Sequence, residues 1–358
     1  MEKSSKKIRI SDLKQFCKDS LIAAGMSEEN AQITAEVLTE TDAFGTHSHG
    51  TVNLAGYIKK TQVGGLDISA EPVMVKEGPA FAIMDGQNGF GMVAGYRAMT
   101  LAIEKAKQTG IALVTIKNST HFGAAGYYAN MAASKGLIGI SMSNVDPNMT
   151  APGAKGMLIG NNPVAYAAPA GQTPSISLDI ALSNVASLKV VNARKEGKSI
   201  PDTWVVDKDG LPTTDPSHYP EEGAVQPMAS HKGYGLAVMV ELLTGVLTGG
   251  GVSVLGDIVS WCFDLESPNN VCHTFIAIDV EQFIGKEEFI KRTDAMAEAL
   301  RSAPKAKGAN RIYTPGEIEW NKHKLAEDAL ALPGNVVESL EGLQAQNGIS
   351  IHWLEEEA

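Results

Sequence analysis

The sequence predicts an α/β fold of a kind other than the Rossmann type. Three observations carry this. Apolar runs of strand length, at residues 110–116, 137–144, 176–180 and 273–279, alternate with amphipathic or apolar stretches of helical length. The composition, 44% hydrophobic and 20% charged over 358 residues, is that of a water-soluble globular chain of roughly two domains. The third is a missing fingerprint. Gly89-Phe-Gly-Met-Val-Ala-Gly95 has one residue too many, no buried strand runs straight into it, and no acidic residue follows a second strand at the required distance.

Taken in order, the elements are as follows. Ile10 opens a helix with Ser11 or Asp12 as cap, and Ser27 opens a second that runs to about Ala43. Residues 44–50 break it, and Gly64-Gly65 ends the next helical piece. Residues 73–86 read as two strands around Gly78-Pro79. A helix follows over 94–109, then the strand at 110–116. A short helix ends at Met131-Ala-Ala-Ser-Lys-Gly136, before the strand at 137–144. A loop begins with Asp146. Asn162, ahead of Pro163, is expected to be extended, with its amide a ligand hook or a turn cap. After the strand at 176–180 a helix is expected from Ala181, with Asp179 and Ser183 near its N-terminus. They would serve there as phosphate contacts or as plain caps. Residues 201–216 are turn-rich. Lys232 and Gly233 open a helix that is apolar nearly all round and therefore expected to be buried. A lysine at that position is an anion contact or one snorkelling to water. The strand at 273–279, an amphipathic helix over 286–302 and a helical tail from Trp320 complete the chain.

Within this frame the chemistry centres on Asn118-Ser-Thr-His-Phe-Gly-Ala-Ala-Gly126. It places His121 where a strand gives way to a helix, a position from which a side chain can enter a shared cleft. A histidine there can exchange a proton near neutral pH; the alternative is a histidine held in a turn. His47 and His49 flank Ser48. With His121 they would make three nitrogen ligands, but no ligand-spaced carboxylate or cysteine accompanies them, so no metal is expected. One histidine turned to a ligand and one packed inward fits the spacing better.

The net charge of −11 argues against nucleic acid as a partner. Cys17, Cys262 and Cys272 form no C-x-x-C pair, which fits a reducing cytoplasm. No leader-like apolar run follows the first residues, and no uninterrupted apolar segment reaches membrane-spanning length.

The motifs His47-Ser-His-Gly50, Thr120-His-Phe-Gly123, Gly160-Asn-Asn-Pro163, Leu178-Asp-Ile-Ala181, Ile200-Pro-Asp-Thr-Trp204, Lys232-Gly-Tyr-Gly-Leu236 and Pro315-Gly-Glu317 are individually weak. In this order and spacing, from about Ile8 to Gly348, the chain resembles the type-2 malate/L-lactate dehydrogenase family of NAD(P)-dependent oxidoreductases. Within it, the chain resembles the ureidoglycolate dehydrogenases. The resemblance implies a non-Rossmann nicotinamide-binding fold. A central mixed sheet, residues 71–284, carries the cofactor, NAD or NADP. A discontinuous helical domain from residues 1–70 and 285–358 closes over it. It implies a homodimer acting on a small-molecule substrate, a 2-hydroxy or 2-oxo acid or a ureidoglycolate-like compound. It assigns His121 as the catalytic histidine and Ser48 and His49 as a substrate-pocket pair that shares in catalysis, His49 being the proton donor in some members; Ser48, His49, Asn53 and His121 are the expected substrate contacts. Asp146, Asn162, Asp179, Ser183, Lys232, Gly233, Gly316 and Glu317 lie in segments lining the cofactor. The chain departs from the family at Asn53, where an arginine is usual, and at Gly56, where many members carry a second. That removes the expected bidentate partner of a substrate carboxylate. Arg97, Arg194 and Lys59 are candidates to replace it. The alternative to an enzyme is a non-catalytic nicotinamide- or ligand-binding protein that keeps the fold.

Overall fold

The computed structural model describes residues 4–172, 174–326 and 329–355. From the N-terminus run β1 (Lys6–Ile8), α1 (Ile10–Ala23), α2 (Glu28–Ala43) and, after 3-10 turns at His47–His49 and Thr51–Asn53, α3 (Leu54–Gln62). β2 (Val73–Gly78) and β3 (Phe81–Asp85) are the expected pair of strands. Next come α4 (Gly91–Thr109), β4 (Ile111–Ser119), α5 (Ala125–Ser134), β5 (Leu137–Ser143), β6 (Val164–Pro169), β7 (Ser175–Ile180) and α6 (Ser187–Lys195). The turn-rich excursion holds β8 (Val205–Val206), β9 (Pro212–Thr213) and β10 (Ala224–Val225). α7 (His231–Glu241), β11 (Val271–Asp279), α8 (Lys286–Arg301), α9 (Glu317–Ala326), β12 (Leu330–Leu332) and α10 (Gly334–Asn347) follow.

Seven strands form the central sheet in the order β2-β3-β4-β11-β5-β6-β7. Only β3 and β4 pair in parallel; β11 inserts antiparallel between β4 and β5, so the sheet is mixed. This is the non-Rossmann arrangement expected. β4, β5 and β7 consequently run in one direction. The residues after their C-terminal ends, with those before β6 and β11, collect at one edge of the sheet.

One core joins α4, α5 and one face of the sheet to the helices of both chain ends, through Leu13, Leu38, Tyr57, Met99, Phe275 and Leu340. A second, around Met142, Leu182, Val205 and Val240, fills the opposite face under α7 and the excursion. The alternation of β11 explains the split: Phe275 and Ala277 belong to the first core, while Ile276 packs on the second. The chain ends are stitched together by β1 pairing with β12 and by the hydrogen bond from Ser339 Oγ to the Val52 carbonyl. α8 packs elsewhere, its Asp294 accepting from the backbone of Gly171 and Gln172.

Several local expectations need correction. α1 is preceded by Arg9 with no side-chain cap; the chain leaves the β1–β12 pair directly into the helix, and Ser11 and Asp12 bond each other. Ser27 does cap α2, accepting from Asn30 N. The helix expected from Ala181 starts only at Ser187, because the Leu182 and Asn184 amides are taken by the carbonyls of Asn161 and Gln226. β6 lies in a stretch for which the sequence predicts no element; its neighbours on both sides supply the pairing. Asn162 is not extended but has φ +29. α7 is not buried all round: Leu236 and Met239 are exposed. The glycines of 89–95 serve packing. A Cβ on Gly91 would lie 2.3 Å from the Thr120 carbonyl oxygen, so α4 starts pressed against the His121 segment. Among the described residues no helix is long and apolar enough to cross a membrane.

Candidate active site

Buried Asp42, near the end of α2, organises the Ser48 loop. Its carboxylate accepts from Thr51 N at 2.9 Å and Thr51 Oγ1 at 2.6 Å and pairs with His47 Nδ1 at 2.8 Å. His47 is thus the inward histidine. His49 points the other way, with Ser48 Oγ 2.9 Å from its Nδ1 and its ring centroid 5.4 Å from that of His121. Of the two histidines, His47 is the one packed inward and His49 is the one facing His121.

His121 lies between β4 and α5, as expected. Its Nδ1 is 2.5 Å from the hydroxyl of Tyr57, a buried residue of α3, and Gly123 N donates to the same nitrogen at 3.4 Å. An N–H group can only donate, so in the resting neutral ring Nδ1 is the acceptor and the proton sits on Nε2. Nε2 has no protein partner among the described residues. Burial, reinforced by the nearby His49 and His273 rings, holds His121 well below the usual histidine range, so the ring is neutral at pH 7.

Behind it, fully buried His273 stacks on Phe122 and bonds Ser143, Ser119 and the Thr120 carbonyl. Burial pushes its pKa down to about 3. His273 therefore ties the ends of β4 and β5 together beneath the catalytic candidate. His49 and Asp179 share an informative combination. Both have surface open to solvent, yet surrounding protein shifts both toward the neutral form, His49 downward and Asp179 up to about 6. Groups that water reaches but protein surrounds line a cleft.

The remaining sequence candidates gather around β7. Asp179 accepts from Gly126 N at 2.7 Å, at the N-terminus of α5, five residues beyond His121. Gly316 has φ +80 and lies flush on β7, where a Cβ would meet Ser177 Oγ at 2.3 Å. Gly233 lets the start of α7 pack on Leu182, whose carbonyl would be 2.8 Å from a Cβ. This brings exposed Lys232 beside the Ser183 segment; Lys232 has no ion-pair partner among the described residues. Ser183 donates to the Val185 carbonyl and sits in a bridge with Pro227, not on a helix. Asp146 follows β5; burial raises its pKa, partly offset by a hydrogen bond with Ser260.

Two candidates are occupied by the scaffold. Asn162 is fully buried, accepting from Val145 N and donating to Glu241 and the Ala237 carbonyl, so it shapes the Asp146 loop from beneath. Glu317 is bonded by Thr314, Arg301 and Arg311. Burial pushes its pKa up, but the bonds from Thr314 and Arg301 outweigh it and hold the carboxylate ionised. It fixes the turn that carries Gly316.

Asn53 donates to the Ser48 carbonyl at 2.9 Å, which steadies the Ser48 loop. Two of the candidate replacement cations are committed elsewhere. Arg97 pairs with Glu29 and Arg194 with Glu221. Lys59 is solvent-exposed on α3. Among the described residues no group of three or more His, Cys, Asp or Glu is placed to hold a metal. Reading the sequence missed Tyr57 and Trp261. Tyr57 carried a signal, four residues after Asn53 and so on the same helical face. Trp261 carried none.

The sequence profile of the malate/L-lactate dehydrogenase family matches residues 8–341. A malate dehydrogenase of Pyrococcus horikoshii is 41% identical over 304 residues, 83% of each chain. The ureidoglycolate dehydrogenase (NAD(+)) of Escherichia coli is 37% identical over 89% of this chain and 90% of its own. The solved structure of the sulfolactate dehydrogenase from Methanocaldococcus jannaschii superposes with a TM-score of 0.89 at 35% identity, covering 96% of this chain and 98% of that one. With the mixed seven-stranded sheet and the neutral His121 at its edge, these matches place the chain in the malate/L-lactate dehydrogenase family.

Proposed function

We propose that the protein is a nicotinamide-dependent dehydrogenase/reductase acting on the CH–OH carbon of a small 2-hydroxy acid or a ureidoglycolate-like compound. The observation that carries this is His121. It is held neutral, with Nδ1 on the Tyr57 hydroxyl and Nε2 without a partner among the described residues, beside the Ser48–His49 pair. In oxidation the ring acts in its other neutral tautomer: the Tyr57 hydroxyl turns to accept from Nδ1–H, which leaves the Nε2 lone pair free to take the substrate hydroxyl proton. In reduction the same proton returns. The Tyr57 hydroxyl rotates between donor and acceptor, so both directions are served. His49 and Ser48 orient the substrate oxygen.

The groups around β7 suit a dinucleotide. Lys232, at the mouth of α7 and with no ion-pair partner among the described residues, and the Ser183 hydroxyl would hold the pyrophosphate. Asp179, Asp146 and the Gly316 turn would line the rest, with Asn162 and Glu317 bracing from behind. A nicotinamide bound there supplies the hydride acceptor or donor. The exposed apolar residues Leu236, Met239, Leu242 and Val246 along one stretch of chain support a homodimer. The three cysteines are free thiols, in keeping with a reducing cytoplasm.

The test is turnover of a panel of 2-hydroxy and 2-oxo acids and ureidoglycolate, followed at the reduced-nicotinamide absorbance with both cofactors. His121→Ala should lower turnover by about 100-fold or more. Its cofactor affinity should be unchanged. One observation favours the rival: no arginine stands at 53 or 56, and Arg97 and Arg194 are paired elsewhere. Cofactor binding without turnover of any substrate would establish a ligand-binding protein instead.

A further inference from the structure

The segment between α7 and β11 crosses the cleft beside His121 and is tied down firmly. The Lys60 side chain, from α3, is buried and donates to the carbonyls of Asp264 at 2.8 Å and Ser267 at 2.7 Å. Asn269 donates to the Val259 carbonyl at 2.9 Å. The Leu265 carbonyl lies 2.1 Å from where a Cβ on Gly65 would be, so the segment rests directly on the end of α3. These ties place the Trp261 indole over two rings at once. It stacks on His121 with centroids 4.9 Å apart and planes at 21°, and on Tyr57 at 5.1 Å and 24°. Its edge comes within 3.6 Å of a Cβ position on Gly56. A Cβ at position 56 would rest in ordinary van der Waals contact with the indole edge. Gly56 and Trp261 are therefore neighbours at the pocket wall.

This changes the chemistry of the pocket wall. Lys60 spends its ammonium on main-chain carbonyls, Arg97 and Arg194 are paired elsewhere, and Asn53 is a neutral amide bonded to Ser48. What borders His121 is aromatic and uncharged: Tyr57, Trp261 and His49. An aromatic face favours flat groups and offers an anion nothing.

We propose that Trp261 is a specificity-determining residue, selecting substrates whose non-reacting end is flat and uncharged, such as an amide, a ureido group or an unsaturated ring. This rests on the dehydrogenase reading. The test uses the full chain, as wild type, Trp261→Phe and Trp261→Ala. It measures kcat/KM for phenylpyruvate and oxaloacetate, and dissociation constants for NADH, phenyllactate and malate by calorimetry. Wild type should prefer phenylpyruvate. Trp261→Ala should lose at least about 5-fold of that preference, with Trp261→Phe keeping most of it, the scale of one aromatic contact. NADH affinity should be unchanged in both. A wild-type preference for oxaloacetate, or a Trp261→Ala effect equal on both acids, overturns the proposal and leaves the dehydrogenase reading intact. If wild type turns over neither acid, the dehydrogenase reading is decided separately, by the wider panel with ureidoglycolate. Calorimetry then decides for Trp261: tighter phenyllactate than malate, lost in Trp261→Ala, supports the role, and equal binding refutes it.

Discussion

Replacing Tyr57 by Phe removes one oxygen and leaves the packing in place, which makes it a sharp probe of His121. The ring of Tyr57 stays against Phe90 and Trp261, so the fold should be kept. What goes is the 2.5 Å hydrogen bond to Nδ1. Losing a hydrogen bond at a buried site costs about 1–3 kcal/mol. Gly123 N still reaches Nδ1 at 3.4 Å in the resting ring, a long contact, which points to the lower part of that range. A loss of about 1–2 kcal/mol corresponds to roughly a 5- to 30-fold lower kcat. The pH profile gives a second, independent sign. Oxidation needs neutral His121, whose pKa is already depressed by burial and then by His49 and His273. Its rate should therefore hold steady from neutral pH down past the ordinary histidine range before falling. In Tyr57→Phe the imidazolium also loses its acceptor for Nδ1–H. The protonated form is disfavoured further, and the acid limb moves to lower pH while the plateau drops. The assay is kcat and kcat/KM from pH 5 to 9 at the reduced-nicotinamide absorbance, with NADH affinity by fluorescence. A plateau within about 2-fold of wild type would refute the reasoning, as would an acid limb displaced to higher pH.

Lys232→Ala should weaken cofactor binding by about 1–3 kcal/mol, the scale of a lost charge-assisted hydrogen bond, without unfolding the chain. Unchanged dissociation constants for NADH and NADPH would sink that role. Wild type should be a poor enzyme on malate and lactate, and Asn53→Arg should raise kcat/KM on these acids relative to ureidoglycolate. If wild type already prefers either acid, or the variant changes neither, Asn53 does not set specificity. For His273, the folded pKa of about 3 lies below the unfolded one, so the unfolded chain binds the extra proton. Its contribution is complete above the unfolded pKa of about 6.5 and falls by about 1.4 kcal/mol per pH unit below it, until the folded pKa is reached. Urea titrations at pH 7.5 and 5 should show the loss, and His273→Gln should flatten the slope; an equal slope would assign it to other groups.

The sequence alone determined what depends on near neighbours. Apolar runs gave β4, β5 and β11, Ser27 gave the start of α2, and the strand-to-helix junction gave His121 its place. The spacing of His47 and His49 foretold one histidine packed inward, and His47 is that one. Other features turned on partners distant in the chain. β6 became a strand because β5 and β7 lie on either side of it. The helix expected at Ala181 waited until Ser187 because remote carbonyls claimed the amides between. Asn162, read as a ligand hook or a turn cap, and Glu317, placed in a segment lining the cofactor, have their polar atoms bonded within the scaffold, by Val145, Ala237 and Glu241 and by Thr314, Arg301 and Arg311. The partners of His121 come from 64 residues upstream at Tyr57 and from far downstream at Trp261. Periodicity and caps are properties of a few consecutive residues. A pKa, or the charge of a pocket wall, is set by how many atoms crowd a group and which of them are polar, and only the folded chain decides that.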